Sequence, residues 1–478
     1  MAKSDRNVYR SPLVARNASP EMAALFGERT KYVIHRRLWL ALAEAQKQLG
    51  LPITTKQIRQ LRANVETIDF AAADRYERQL RHETMAHIRA YGDAAPAARG
   101  IIHLGATSCY VLDNTDLILL REGMRILCGR LAVVIDRLAK FAKKHRALPC
   151  LGFTHYQPAQ MTTVGKRATL WCYDFVRDLE ALEHRLATLR FRGVKGTTGT
   201  QASFLQLFNG SHAKVDRLER LVAKKMGFDK VEPVTGQTYS RKVDAQIVCD
   251  LAGIATSVHK FCNDLRLLAN LKEMEEPFET KQVGSSAMAY KRNPMRCERA
   301  TALSRLIISL ANSPLATAAE QWLERSLDDS ANRRITLAEA FLATDGILVI
   351  AANVADGMVV YPKVIAARVA AELPFMATET ILMAAVAAGG DRQALHERIR
   401  RHSQAAANQV KQKARPNDLI ERLKADPAFN KLDITKLLAP KTFTGRAPQQ
   451  VDAFLRDHVT PLRRRYRGAL RGKVELKV

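Results

Sequence analysis

Aromatic residues are scarce in this chain of 478 residues, because Phe, Trp and Tyr together make up only 6% of it. Strands are enriched in aromatic and β-branched residues, so this scarcity, with Leu and Ala recurring throughout, favours helices over sheets. Hydrophobic residues make up 47% of the chain, an ordinary share for a globular protein that excludes wholesale disorder. The length exceeds one compact core, so we expect two or three domains.

Features of secreted, membrane and zinc-binding proteins are missing as well. We find no apolar run that approaches the length of a bilayer span, and the opening MAKSDRNVYRSPL has no apolar signal-peptide core. The cysteines are odd in number and never spaced as CxxC, which disfavours a disulfide framework or a zinc knuckle. They are Cys109, Cys128, Cys150, Cys172, Cys249, Cys262 and Cys297. These absences predict a protein of a reducing compartment, the cytoplasm.

Acidic residues are in deficit, since 75 Lys and Arg against 48 Asp and Glu leave a formal net charge of +27. Such a charge is compatible with nucleic acid, an anionic surface or an acidic small substrate. Most basic residues are interspersed with acidic ones, as on a solvated helical surface. The densest basic run has no aromatic neighbour beyond Tyr466, which is typical of a solvated end and disfavours specific nucleic-acid binding. This run comprises Arg463, Arg464, Arg465, Arg467, Arg471 and Lys473.

Long helices are the main structural element that the sequence does contain. Apolar residues recur at spacings of three and four, as in the packed seams of long helices, over residues 117–141, 171–189 and 243–268. We expect the first helix to run from about Thr115 to Ala147, with Asp113, Asn114 and Thr115 as cap candidates. The predicted fold class is all-α, an elongated central bundle of long helices flanked by two smaller helical domains. The predicted domains are residues 1–107, 108–360 and 361–478.

The polar segment 284–299, GSSAMAYKRNPMRCER, is the most informative interruption of the helices. Two serines follow a glycine, two adjacent cations come next, and Asn293 and Pro294 fit the cap and the first position of a helix. A surface loop before a helix is the ordinary interpretation of such a stretch. The combination of the serines, Lys291 and a helix N-terminus favours function, because cations and a helix dipole lower the pKa of a hydroxyl or hold a carboxylate.

Other polar segments carry weaker signals. His155 stands before a Pro-containing turn in GFTHYQPAQMTTVGKR, where the density of polar side chains favours an acid–base role over a structural one. Thr107 and Ser108 precede the first long helix, where backbone N–H groups either bind an anion or simply begin an ordinary capped helix. The glycine-rich segment 192–203 matches neither GxGxxG nor the phosphate loop.

One apparent metal motif is misleading. Residues 82–87 read HETMAH, similar to a zinc-protease motif. Its two histidines are five residues apart instead of four, so on a helix they diverge by roughly 140°. The sequence therefore predicts no metal site.

Taken together, these motifs resemble the fumarase/aspartase superfamily. SSAMAYKRNPM resembles its signature loop, GSSxMPxKxNP, and THYQPAQ and TSCYVLDN are similar to its two other characteristic regions. From RSPL to FTGRAPQQV the chain resembles the animal-type adenylosuccinate lyase family. That resemblance implies an all-α homotetramer with no cofactor and with sites shared between subunits. It also implies cleavage of fumarate from two purine nucleotides, adenylosuccinate (giving AMP) and SAICAR (giving AICAR).

The resemblance further implies roles for individual residues. Ser285 matches the general base, and Lys291 the cation near the succinyl carboxylates. His155 matches the general acid, and Glu298 the carboxylate that supports it. Positions that bind substrate are matched by Arg16, Asn17, Arg81, His82, Glu83, Thr107, Ser108, Gln237, Arg299, Arg325, Ser330 and Arg334.

Three positions depart from the pattern of the family. Ala289 replaces the proline of the signature, which gives the loop more freedom. Asn17 stands where tyrosine is expected, and Glu83 stands where aspartate is usual.

Two rival functions remain open at this point. The first is another fumarate-releasing lyase of the superfamily, such as argininosuccinate lyase, fumarase or aspartase, against which the segments QLRHETMAH and LDDSANRR argue. The second is a non-catalytic basic nucleic-acid-binding protein on this fold. The four matched catalytic residues argue against it, although a basic substrate site does not account for the whole net charge of +27.

Overall fold

Helices dominate the computed structural model, which describes residues 7–472 and Leu476. The N-terminal part contains α1 (Pro20–Leu25), α2 (Glu28–Gln48), α3 (Thr55–Ala63), α4 (Phe70–Leu80) and α5 (Glu83–Ala94). The middle contains α6 (Ser108–Lys144), α7 (Val164–Thr188), α8 (Ala202–Leu207), α9 (His212–Lys225), α10 (Lys242–Asn270), α11 (Met295–Leu310), α12 (Asn312–Ala319) and α13 (Asp329–Gly357). The C-terminal part contains α14 (Pro362–Met376), α15 (Thr378–Ala387), α16 (Arg392–Lys413), α17 (Leu419–Ala425), α18 (Ile434–Leu437), α19 (Ala447–Phe454) and α20 (Thr460–Arg465).

Strands form only two small antiparallel pairs in the described residues. A hairpin joins β1 (Pro149–Thr154) to β2 (Gln157–Thr163). A two-residue pair joins β3 (Met274–Glu275) to β4 (Val359–Val360). Short 3₁₀ and π-helical turns lie at Leu13–Asn17, Pro96–Ile101, Pro427–Phe429, Pro440–Thr444, Leu455–Val459 and Ala469–Arg471.

The largest apolar core lies between the long helices. α6 packs against α7 and α13, and α10 packs against α7, α11 and α13. The seam residues predicted from the sequence point into this core, where Leu131, Phe175 and Ile254 are fully buried. The all-α fold class is therefore confirmed, because burial of the seams is what holds the long helices side by side. The two boundaries between the three predicted domains stay predictions.

The start of α6 differs from the expected one. The helix begins at Ser108 instead of Thr115, and it ends at Lys144 instead of Ala147. The predicted cap residues are buried inside the helix: Asn114 donates to the carbonyls of Tyr110 (2.8 Å) and Gly193 (3.1 Å), and Asp113 forms an ion pair. Tertiary partners satisfy these polar side chains, so their preference for helix caps is overridden.

One helix is long and apolar enough to cross a membrane by length and composition, contrary to the expectation from the sequence. In α13, however, 83% of the most apolar window of 18 residues is buried inside the protein. The bent pair α14 and α15 also meets the test when taken as one span. Burial of α13 among its neighbours is the behaviour of a core helix of a globular protein.

Part of the basic C-terminal run is docked on the bundle. Arg463 donates to Asp136 of α6 at 2.6 Å, and Arg465 lies 3.2 Å from Glu183 of α7. The Tyr466 hydroxyl donates to the same Glu183 at 2.8 Å. The expectation of a solvated basic end is therefore wrong for Arg463, whereas the rest of the described run, Arg464, Arg465, Arg467 and Arg471, is exposed as expected. Lys473 lies outside the described residues.

Candidate active site

The residues predicted to form the site fall into three groups at different places on the bundle. The first group lies at the N-terminal end of α6 and α13 and comprises Arg81, His82, Glu83, Thr107, Ser108, Gln237, Arg325, Ser330 and Arg334. The second lies around the signature loop, which we define as residues 284–294, and comprises Arg16, Asn17, Ser285, Lys291, Glu298 and Arg299. The third is His155, at the tip of the β1–β2 hairpin.

A cavity of about 300 Å³ gathers part of the first group. Arg325, Ser330 and Arg334 line it, together with Lys31 from α2. Ser330 and Arg334 lie in the first two turns of α13, and Arg325 lies just ahead of that helix. The two guanidinium groups and the hydroxyl are donors suited to phosphate or carboxylate oxygens, although the lining also includes the carboxylates of Glu28, Asp113, Asp116 and Asp329. We call this the anion cavity.

Glu83, the first residue of α5, borders the anion cavity. Its Oε1 accepts from Lys31 Nζ (2.5 Å) and from the Tyr32 hydroxyl (3.0 Å), and its Oε2 accepts from Arg334 (2.5 Å). Burial opposes ionisation of Glu83, but the positive charges of Lys31 and Arg334 outweigh it and lower the pKa to about 2. Glu83 is therefore a carboxylate at neutral pH, with both oxygens bonded to protein groups.

Arg81 and His82 occupy the break between α4 and α5. Arg81 ends α4 in the left-handed conformation (φ 52°), and His82 precedes α5, with Nδ1 accepting the Met85 N–H at 3.3 Å. His87 instead lies in the core, its ring stacked 3.5 Å from that of Tyr32. The two histidines of HETMAH thus occupy different environments, as their spacing predicts.

Thr107 and Ser108 lie at the N-terminus of α6, next to Gln237. Gln237 Nε2 donates to Thr107 Oγ1 at 3.4 Å, and the Gln237 N–H donates to the carbonyl of Glu324 at 2.9 Å. Thr107 is the residue before the helix, yet its side chain does not cap it. The first N–H groups of a helix of 37 residues therefore face a polar surface that also holds Arg325, an arrangement suited to an anion.

Ion pairs that the sequence did not predict form part of the lining of the anion cavity. Arg241 forks onto Asp113 of α6 at 3.1 and 3.2 Å and donates to Asp329 of α13 at 2.6 Å. Asp329 also lies 3.5 Å from Arg325. Burial disfavours the charge on Asp113, but the guanidinium of Arg241 outweighs it and lowers the pKa. The network thus holds Arg325 in place through Asp329.

A second set of ion pairs joins the same three helices. Arg333 of α13 lies 2.9 Å from Asp116 of α6 and 2.7 Å from Asp244 of α10. The Tyr239 hydroxyl donates to Asp244 at 2.6 Å. Nothing in the spacing of these residues distinguishes them from a solvated helix face, so only the fold reveals that they are buried together.

The signature loop closes on itself. Asn293 Nδ2 donates to the carbonyl of Gly284 at 2.7 Å, and Ser285 Oγ accepts the N–H groups of Ala287 (3.3 Å) and Met288 (3.1 Å). A Cβ on Gly284 would lie 2.2 Å from the carbonyl oxygen of Lys291, so only glycine fits at this crossing. Lys291 itself is exposed.

The helix after the loop does not open as expected. α11 begins at Met295, with Pro294 before it, and Asn293 bonds to the loop instead of capping the helix. The carboxylate of Glu276 takes the cap position and accepts the N–H groups of Arg296 (3.0 Å) and Cys297 (2.8 Å). The expected role of this helix opening in holding a substrate anion is therefore wrong, since a protein carboxylate already fills it.

The remaining residues of the second group flank the loop. Burial lowers the pKa of Arg299, and the nearby positive charge of Arg16 lowers it further. Asn17 donates to the carbonyl of Pro12 at 3.0 Å and packs against Gly346 of α13. Glu298 is exposed and lies 3.8 Å from Arg266. Two arginines near each other at the surface suit an anionic ligand.

His155 occupies the tip of the β1–β2 hairpin. Thr154 pairs with Gln157, so His155 and Tyr156 form a two-residue turn, and both have positive φ (51° and 58°). This is the turn type that matches the twist of paired strands, and it presents His155 to solvent. The sequence placed His155 before a turn but did not predict strands around it.

No single chain unites the three groups. The 37 residues of α6 separate Thr107 from the hairpin that carries His155, a distance along the helix of roughly 55 Å. The 29 residues of α10 separate Gln237 from the signature loop by roughly 43 Å. Any site that uses all three groups is therefore built from several copies of the chain.

We expect Ala289→Pro to be tolerated and to change the rate of loop motion more than substrate affinity. The Lys291 N–H donates to the Met288 carbonyl at 3.0 Å, so Ala289 is the second residue of a turn, where proline is favoured. Stopped-flow fluorescence and steady-state kinetics would measure this, with Ala287→Pro as the matched control within the loop. Unfolding of the Ala289→Pro protein would contradict the expectation.

Comparison with known proteins identifies the chain. Residues 21–308 match the protein family described as "Lyase", and residues 374–454 match "Adenylosuccinate lyase C-terminus". The chain is 53% identical over 460 residues to "Adenylosuccinate lyase" of Saccharomyces cerevisiae, covering 95% of each chain. It is 54% identical over 461 residues to the protein of that name from Schizosaccharomyces pombe, covering 95% of this chain and 96% of that one.

A solved structure shows the same fold at lower identity. The 3-carboxy-cis,cis-muconate lactonizing enzyme of Pseudomonas putida aligns with a TM-score of 0.80 and 22% identity, covering 95% of this chain and 99% of that one. At this identity the likeness concerns the fold alone. On the strength of its sequence relatives, the chain belongs to the adenylosuccinate lyase family, carbon–nitrogen lyases of the fumarase/aspartase superfamily.

Proposed function

We propose that this chain is a cytoplasmic, homotetrameric adenylosuccinate lyase that acts in purine nucleotide biosynthesis. It eliminates fumarate from adenylosuccinate to give AMP and from SAICAR to give AICAR. The observation that carries the proposal is the 53% identity to an adenylosuccinate lyase over 95% of the chain. The anion cavity supports it, because both substrates carry a phosphate.

The phosphate end of the substrate is assigned to the anion cavity. Arg325 and Arg334 supply charge-assisted hydrogen bonds to phosphate oxygens, and Ser330 supplies a hydroxyl. The open N-terminus of α6 at Thr107 and Ser108 suits a carboxylate of the succinyl group. Arg81, His82, Glu83, Gln237, Arg16, Asn17 and Arg299 complete the proposed set of substrate-binding residues.

Proton removal is the difficult step, because the C–H next to the carboxylate is a very weak acid. Ser285 takes this proton in the proposal, and the dianion that develops is stabilised by Lys291 in the same loop. The N-terminus of α11 makes no contribution, since Glu276 already occupies it. A loop anchored at Gly284 and Asn293 can move as a unit and close over substrate.

Departure of the nitrogen needs a proton donor, a role proposed for His155. An imidazole exposed to solvent can give a proton to the leaving nitrogen and recover one from water. Glu298 supports the imidazolium form in the proposal. The chemistry is proton transfer and charge stabilisation throughout, so the proposal needs no cofactor.

The separation of the three groups supports the proposed tetramer. A substrate cannot touch both ends of a helix of roughly 55 Å, so a site that uses both Thr107 and His155 takes them from different chains. The same holds for Gln237 and Ser285 across α10, and the proposal also takes His155 and Ser285 from different chains. Closed symmetry makes all such sites equivalent, and four chains provide four sites. Exposure of His155, Lys291 and Glu298 in the single chain is consistent with this.

The test is an absorbance assay of the purified protein with adenylosuccinate and SAICAR. Turnover of both substrates, with none of argininosuccinate, malate or aspartate, is expected. Turnover of one of these three alone would favour a sister lyase. Salt-dependent binding to duplex DNA without any turnover would favour the non-catalytic alternative.

A further inference from the structure

Lys31, on α2, is absent from the predicted site yet lines the anion cavity. Its Nζ lies 2.5 Å from Glu83 Oε1, and the lysine side chain is only 24% exposed. A partly buried ammonium group at the edge of a cavity is destabilised unless an opposite charge lies beside it. Its partner is Glu83.

Glu83 is shared between two cations. Its Oε1 faces Lys31 and its Oε2 faces Arg334, which is 55% exposed and also lines the cavity. The Tyr32 hydroxyl donates to Oε1 at 3.0 Å and fixes the direction of the carboxylate. The glutamate thus connects α2 to α13, a connection for which the longer side chain of glutamate, compared with aspartate, provides reach.

Because Glu83 contacts both Lys31 and Arg334, it offsets only part of the positive charge of Arg334, and the guanidinium can still attract an anionic ligand. The trio of Lys31, Glu83 and Arg334 carries a net positive charge, and Lys31 neutralises the part of the carboxylate that faces α2. Without Lys31, the carboxylate and Arg334 would form a neutral pair. An incoming phosphate would then compete with Glu83 for the same guanidinium.

We propose that Lys31 is a positioning residue that acts through Glu83 and keeps Arg334 available to the phosphate group of the substrate. The assignment of that phosphate to the anion cavity rests on the proposed function. Lys31 itself does not touch the phosphate. Its effect is electrostatic and is transmitted by the shared carboxylate.

The experiment measures binding of inorganic phosphate and substrate kinetics for Lys31→Met. We expect the dissociation constant for phosphate and the KM for adenylosuccinate to rise about tenfold, with kcat changed by no more than about twofold. Lys31→Arg should restore both values. Phosphate binding is read from the rise in melting temperature on titration, which requires no turnover.

Arg37→Met provides the matched control. Arg37 lies on the same helix, its ion pair with Glu66 is exposed on both sides, and it does not line the anion cavity. Loss of this surface pair should leave phosphate binding and KM unchanged. An equal effect of both substitutions would mean that Lys31 merely stabilises α2, and would overturn the proposal.

A double variant separates action through Glu83 from direct contact. In Lys31→Met/Glu83→Gln the net positive charge is restored and Arg334 has no carboxylate partner, so phosphate affinity should return to within about threefold of the original. A loss as large as in Lys31→Met alone would show that Lys31 binds phosphate directly and would overturn the proposal. Lys31→Gln replaces Lys31→Met should the latter fail to fold.

These outcomes are distinct from failure of the proposed function. If the unmodified protein turns over neither nucleotide, the proposed function fails, whereas the phosphate titrations of the variants still report on Lys31. If the unmodified protein cleaves adenylosuccinate and Lys31→Met binds phosphate normally, only the positioning role fails.

Discussion

Replacing Ser285 by alanine should lower kcat by about a thousandfold or more while changing the KM for adenylosuccinate no more than about threefold. Ser285 lies in the signature loop, away from the anion cavity where the phosphate contacts are proposed. Its hydroxyl serves proton removal, which matters in the transition state, so the loss should fall on kcat. Single-turnover kinetics and binding of AMP by calorimetry would measure the two effects separately.

Ser286→Ala is the matched control, because the two serines are adjacent in the same loop. It should retain kcat to within about tenfold, since Ser286 has no assigned role in proton transfer. If instead Ser286→Ala is inactive and Ser285→Ala turns over normally, the general base is Ser286. The backbone N–H groups that now contact Ser285 Oγ would then have only a structural role in the loop.

Mixing two inactive variants, His155→Ala and Ser285→Ala, should restore about a quarter of the original activity. In a randomly mixed tetramer, a site that takes its histidine and its serine from different chains receives both intact with a chance of roughly one in four. The prediction rests on the proposal that His155 and Ser285 come from different chains. The lengths of α6 and α10 separate His155 from Thr107 and Ser285 from Gln237. Activity is measured after subunit exchange under mild denaturant.

The matched control mixes Ser285→Ala with Lys291→Met. Each variant has its single change in the same segment, the signature loop. Every loop in the hybrid tetramer therefore carries one of the two changes, and no activity should return. Exchange is confirmed by mass spectrometry of differently labelled chains. Absence of recovery in the first mixture, with exchange complete, would mean that His155 and Ser285 act from the same chain.

The helical architecture could be read from the sequence because burial is periodic. Leu131 and Ile254 occupy seams whose spacing matches one face of a helix, and these seams became the core between the long helices. The ends of the helices were less predictable. Asp113 and Asn114 have side chains that favour caps, but ion pairs and hydrogen bonds from distant segments hold them inside α6.

The candidate site was predictable only where motif and chemistry coincide. Ser285, Lys291 and His155 stand in segments whose polar composition interrupts the helical pattern. Glu276 and Lys31 stand in ordinary surroundings, and their importance arises from contacts with residues about 20 and 50 positions away. Such contacts depend on how helices meet, which no local spacing encodes.

The hairpin that carries His155 could not be predicted from its local sequence either. Its turn uses His and Tyr with positive φ instead of the Asn-Gly or Asp-Gly pair that marks such turns in sequences. Without those residues, and with Pro158 in the second strand, the segment does not have the usual signature of a hairpin. Pairing of the two strands on either side stabilises a turn that the sequence alone disfavours.

The buried ion pairs of α6, α10 and α13 also determine how these helices align lengthwise. Similar apolar side chains (Leu, Ala, Val and Ile) recur at each turn of the seams. One helix could therefore shift along another by a turn, about 5.4 Å, and still bury apolar surface. Such a slide would separate Arg241 from Asp113 and Asp329, and Arg333 from Asp116 and Asp244. Unpairing a buried charge costs about 3–5 kcal/mol, so the misaligned bundle is strongly disfavoured. The buried ion pairs form in only one lengthwise alignment of the helices. They therefore select that register during folding among several in which the apolar seams would be buried.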